Sequence, residues 1–157
     1  MIFGAREARP SLLRRLVAWA AARELAAFVV PGLEVARARG LDLGAAGLRP
    51  SATPRHASVL VLVGGLPVGL EKAAAIAFAQ MPRPRAILAV GAGDVSPLPE
   101  PDVSVPLGQE GLAGGVAALR SAFARGAFAV EAEDFDVDEI RTQTEYVCPM
   151  HPDVVRD

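Results

Sequence analysis

Two short apolar runs constrain this chain more than anything else in it. Ser58 to Val63 reads SVLVLV and Ala86 to Val90 reads AILAV. A strand with one wet face alternates apolar and polar residues. An unbroken, mostly branched run of this length is the pattern of a strand buried on both faces, as in a parallel sheet. Turn residues bound both runs: Pro54 before and Gly64-Gly65 after the first, Pro82 and Pro84 before and Gly91 after the second. Between them Gly69 to Gln80 carries Leu70, Ala73, Ala74, Ala77 and Phe78 at helical spacing. The pattern predicts two parallel strands joined through a helix by a right-handed crossover.

The rest of the chain is read outward from that unit. Ser11 is an N-cap candidate for a first helix that runs toward Val30, where Pro31-Gly32 stops it. A short second helix covers Leu33 to Arg39 and ends at Gly40, and Leu41 to Pro54 reads as a connecting loop. Past the second buried run come a Pro-rich loop, Asp94 to Pro101, and a short third strand, Val103 to Val105. A helix over Gly111 to Arg125 follows, with Leu112, Val116, Leu119 and Phe123 on one face. Ala127 to Val130 reads as a short strand or an extended exit. Residues 1–130 are thus expected to form one α/β domain. Glu131 to Glu139 (EAEDFDVDE) opens an acidic linker over 131–143, either a solvated segment or one anchored by Phe135 and Val137. A distinct tail occupies 144–157.

Composition excludes several functions. Apolar residues make up 52% of the 157, enough for a core, but aromatics are only 5% and the net charge is −2. Few aromatics leave little to stack on bases, and a mildly acidic balance does not neutralise phosphates, so nucleic acid is not an expected partner. Cys148 is the only cysteine, so no internal disulfide forms, which fits a reducing cytoplasm. The apolar stretch Leu12 to Val30 contains Arg14, Arg15, Arg23 and Glu24. Each such charge costs about 2.5–3.5 kcal/mol at a bilayer centre by insertion scales, so no transmembrane span is expected. The helix is amphipathic, packing on a core or docking on a membrane or partner.

Motifs in the central half point to a family. TPRHASVLVLVGG, followed by a helix ending AQMPRPRAILAVGAG, resembles the 20 kDa electron-transfer subunit of respiratory complex I (the NADH-quinone oxidoreductase) and the small subunits of nickel–iron hydrogenases. Pro54, Arg55 and Ala57 match the family's entry to the first strand. Gln80, Met81, Pro82 and Pro84 match its Q-M-P-x-P helix exit, and Val90-Gly91 its approach to a cluster cysteine. Val105-Pro106-Leu107-Gly108 stands where the family has its P-G-C-P-P turn. The resemblance implies a flavodoxin-like three-layer α/β/α domain with a short, mostly parallel sheet. It also shows what is missing. The paired cysteines have no counterpart in Leu25 to Leu48, the third aligns with Gly93, and the fourth aligns near Gly108. An iron–sulfur cluster needs such thiolates, so none is expected here.

The glycines left at those turns have two readings. Gly64, Gly65, Gly91, Gly93 and Asp94 either make tight strand-to-loop turns that need a permissive backbone, or line a small-ligand pocket at the carboxyl ends of the strands. They form neither a G-x-G-x-x-G fingerprint nor a Walker loop. His56, beside Arg55, reads as a loop histidine satisfied by backbone; no neighbouring serine, cysteine or paired carboxylate makes a nucleophile–base set with it.

The tail carries a second resemblance. Tyr146-Val147-Cys148-Pro149-Met150-His151-Pro152 is similar to the start of the heavy-metal-binding module of copper-transporting ATPases, which continues into a C-P-x-C-G-M half. Cys148, His151 and Met150 are the candidate ligands. Thiolate, thioether and imidazole together suit Cu(I), and thiolate with imidazole suits Zn²⁺. The second half is missing before Asp157. Three explanations stand: the natural protein continues, two chains share a metal between half-sites, or the half-motif is a relic, with the first favoured. A tail with one exposed thiol, and a redox role for Cys148, are the competing readings of the motif.

Two functions follow as expectations. One is a non-catalytic, cluster-less scaffold with a copper- or zinc-binding tail. The other is an accessory subunit of a respiratory or hydrogenase-type complex, cytoplasmic and held at the membrane through its partners, with self-association as a further possibility. An enzyme using the glycine loops ranks below both, because no acid–base or nucleophile constellation is present.

Overall fold

A computed structural model of the chain describes residues 12–128, 146–148 and 151–156. Five parallel strands form its sheet: β1 (Leu25–Val30), β2 (Leu48–Pro50), β3 (Val59–Val63), β4 (Ala86–Val90) and β5 (Val103–Val105). Their order is β2-β1-β3-β4-β5. Four helices accompany them: α1 (Leu12–Arg23), α2 (Leu33–Ala38), α3 (Leu70–Gln80) and α4 (Gln109–Ala124). This order is that of the flavodoxin-like three-layer α/β/α fold expected from the sequence.

The two apolar runs lie at the centre, paired to each other over Val59↔Ala86 through Val63↔Val90. Every residue of both strands is buried, which is why neither run alternates. Alternate side chains feed separate cores. Val59, Val61, Val63, Leu88 and Val90 face α2 and α4, meeting Ala36, Leu112, Val116, Leu119 and Phe123. Leu60, Leu62 and Ile87 face α3, meeting Ala74, Ala75 and Phe78. Step direction explains the division. The chain moves one way across the sheet from β1 to β2 and the other way from β3 to β4, so crossovers of one hand put α2 and α3 on opposite faces. No helix joins β4 to β5; the loop between them instead seals the α3 face with Val95 and Leu98.

The first helix is the main correction. It ends at Arg23, and Leu25–Val30, expected to continue it, is β1. Ala26 and Ala27 favour helix in isolation. However, this segment lies between two neighbours in the sheet and is buried over nearly its whole length, and Phe28-Val29-Val30 fits a pleated surface. Pro31-Gly32 therefore ends a strand, and the break falls at exposed Arg23-Glu24, where Glu24 pairs with Arg49 at 2.8 Å. The expected loop Leu41 to Pro54 contains the short edge strand β2, and a 3₁₀ turn follows at Pro54–His56. The last helix starts at Gln109, two residues before Gly111. Ala127 and Phe128 form a turn, not a strand. Ser11, Ala129, Val130 and the acidic linker 131–143, with Phe135 and Val137, lie outside the described residues.

In the tail, β6 (Tyr146–Cys148) and β7 (His151–Arg156) form a separate antiparallel pair. No helix among the described residues is long and apolar enough to cross a membrane.

Candidate functional site

The glycine turns sit together because their strands do. At the carboxyl end of β3, the Gly64 N–H donates to the Val90 carbonyl at 2.9 Å; at the end of β4, the Gly91 N–H donates to the Val105 carbonyl at 2.8 Å. Each closes its ladder and then turns away with positive φ, +70° at Gly64 and +62° at Gly91, which a side chain would strain. Close neighbours reinforce the need for glycine. A Cβ on Gly91 would lie 2.6 Å from Leu107 Cβ, and one on Gly64 would run into the Arg39 guanidinium. Gly65 and Gly93 face open space, with no heavy atom within 4 Å of a built Cβ. Asp94 stabilises its own loop, its Oδ1 accepting the Ser96 N–H at 3.0 Å.

Two contacts join this edge to the rest of the fold. Gln109, first residue of α4, accepts the Asp42 N–H at 2.7 Å through Oε1 and donates from Nε2 to the Asp42 carbonyl at 3.0 Å. That paired bond fixes the loop after α2 against the start of α4. Arg39, three residues before Asp42, projects its guanidinium over Gly64. Arg39 was not legible as a site residue. It is an exposed arginine after a short helix, and only the tertiary fold carries it to β3.

A cavity of about 420 Å³ lies elsewhere, lined by Leu33, Arg37, Gly40, Leu41, Asp42, Leu43, Gly44 and Pro50, beside α2 and the edge strand. None of Gly64, Gly65, Gly91, Gly93 or Asp94 contributes to it. Arg37 on its rim is paired to Glu34 at 2.8 Å. His56 is exposed, and its Nδ1 lies 3.1 Å from Thr53 Oγ1; a hydroxyl, rather than the expected backbone group, is its partner.

A solved chain from the structure of the membrane-bound sulfane sulfur reductase, an archaeal respiratory membrane complex, has the same fold. The likeness has a TM-score of 0.58 at 20% identity and covers 71% of this chain and 77% of that one. At that identity it establishes the architecture. No family model matches the chain, and no curated protein matches it.

The donor set at this edge does not fit an iron–sulfur cluster. Gly93 and Gly108, in the turns at the ends of β4 and β5, carry no side-chain atom that could ligate iron. Among the described residues no three His, Cys, Asp or Glu converge on a point.

The tail brings two of its candidates together along the backbone. Across β6 and β7, Cys148 is the register partner of His151, next to an irregularity at Val147/Cys148. Pro149 and Met150, which join the strands, lie outside the described residues.

Proposed function

We propose that this chain is a cluster-less accessory subunit of a respiratory-type membrane oxidoreductase complex, held at the membrane through its partners. The fold likeness to a chain of the sulfane sulfur reductase complex supports this reading, since it spans 71% of one chain and 77% of the other. Gly93 and Gly108 at the cluster positions supply the second half of the argument: docking surfaces survive the loss of a redox centre, but electron transfer through it does not. Exposed Leu12, Leu13 and Leu16 on α1 offer apolar surface to a neighbour.

The test is to tag the chain in its own cells, solubilise membranes gently and separate native complexes. Recovery with a multi-subunit membrane oxidoreductase, without labile sulfide assignable to this chain, supports the proposal. Recovery only as free protein, or as a brown protein with stoichiometric sulfide, overturns it.

A second activity rests on a different observation. The pairing of Cys148 with His151 supports soft-metal binding by the tail, Cu(I) or Zn²⁺. Direct cross-strand partners have Cβ atoms about 4.5–5.5 Å apart, within reach of one metal ion. Met150 would be a weaker third ligand in the connection. Titration of the full chain with Cu(I) or Zn²⁺ should give binding that Cys148→Ser abolishes. Equal binding by both proteins would exclude the tail.

A further inference from the structure

The sheet reverses its winding between β1 and β3, since the chain leaves β1 toward one face through α2 and leaves β3 toward the other through α3. Loops that diverge in this way open a crevice at the carboxyl ends of the two strands, where sheets of this kind bind ligands. The Gly64-Gly65 turn leaves β3 at this switch point. Gly64 has no side chain because the Arg39 guanidinium occupies the space a Cβ would take, and Gly65 opens to solvent with no heavy atom within 4 Å of a Cβ position.

Several other arginines of the described residues have acceptors. Arg37 pairs with Glu34 and Arg49 with Glu24, both at 2.8 Å, and Arg120 donates to the Gly47 carbonyl at 2.9 Å. Arg39 has no acceptor among the described residues. The carboxylates along this edge serve their own loops: Asp42 Oδ1 accepts the Ala45 N–H and Asp94 Oδ1 the Ser96 N–H. Ordering an arginine side chain gives up rotamer freedom, and a guanidinium fork recovers it best against a planar or tetrahedral oxyanion, which it grips with two parallel bonds.

We propose that Arg39 and the Gly64-Gly65 turn form a binding site for the phosphate or carboxylate group of a small molecule at the switch point of the sheet. The site is independent of the accessory-subunit reading and of the tail. Arg39 supplies the charge and the paired donors. Gly64 makes room for the Arg39 guanidinium, and Gly65, open to solvent, lets the ligand approach the backbone beside it.

The test is an NMR titration of the ¹⁵N-labelled full chain with inorganic phosphate and, separately, acetate, with chloride holding the ionic strength constant. The expected result is movement of the Gly65 amide and of the Arg39 Nε–H, with little change at the tail. Arg39→Gln, an exposed substitution that should leave the melting curve unchanged, should weaken binding about tenfold or more. Arg39→Lys keeps the charge without the fork and should fall between. Tighter binding of phosphate assigns a phosphorylated ligand, and tighter binding of acetate a carboxylate. The proposal is overturned if neither anion moves these resonances, or if Arg39→Gln binds as well as wild type.

Discussion

Asp102 stands just before β5, exposed along one side, with its Oδ2 turned inward to accept the Ile87 N–H at 2.7 Å. Partial burial raises its pKa above the usual 3.8, and the backbone bonds it accepts only partly offset that. A carboxylate whose folded pKa is raised contributes stability that is full below the unfolded value and is lost as pH rises through the folded one. Asp102→Asn keeps an acceptor for Ile87 and carries no charge. Relative to wild type, its unfolding free energy should therefore improve as pH rises from about 3 to about 7, measured by urea denaturation at each pH. An unfolding free energy for Asp102→Asn that falls relative to wild type over that range would contradict the burial argument. Gly91 gives a steric prediction at the same scale. Gly91→Ala places a methyl 2.6 Å from Leu107 Cβ on a residue with φ of +62°. Left-handed strain and overpacking together should cost about 2–4 kcal/mol, read as a lower denaturation midpoint.

At the scale of elements, the exit of α3 shows how one side chain closes a helix. Arg85 Nη1 donates to the carbonyls of Phe78, Ala79 and Met81 at 2.7, 3.1 and 3.1 Å, and the guanidinium lies 4.4 Å from the centre of the Phe78 ring. The last carbonyls of a helix lack amide partners, so a cation placed there satisfies them and opposes the helix dipole. Arg85→Ala should cost about 1–3 kcal/mol and raise amide exchange in the last turn of α3 before β3 is affected. Uniform exchange across α3 and β3 would mean that the cap acts globally. The Gln80-Met81-Pro82 exit was legible as a helix stop from its prolines, but Arg85 was not legible as a cap, because its acceptors are defined only once the chain has turned. The same distinction runs through the fold. β3, α3 and β4 could be read because a buried strand and a helix between breakers are local patterns. β1 could not, because Leu25–Val30 is a strand only by virtue of the neighbours on both sides of it. Among site residues, Gly64 and Gly91 announce a turn in any context, while Arg39 and the Gln109–Asp42 pair depend on contacts between residues far apart in sequence.

The molecule as a whole covers its two sheet faces unequally. One carries α2 and α4, with α1 against α4; the other carries α3, the 3₁₀ turn and the helix-less β4–β5 connection. On the better-covered side α1 has an outer surface of its own: Leu12, Leu13 and Leu16 are 78%, 75% and 54% exposed. Side chains this open contribute little to folding, since burial is what stabilises a leucine. They matter only if something else covers them. Replacing all three by lysine preserves helix propensity and should change the unfolding free energy by less than about 0.5 kcal/mol per site. On the accessory-subunit proposal, the same variant should lose its place in a larger complex in native membrane extracts, because three charges would have to be desolvated against the partner. The fold and the docking surface are thereby separated in one protein. Retention of the folded variant in the complex would show that α1 is not the docking surface of the proposed subunit, and a variant that unfolds would show that these leucines belong to the core after all.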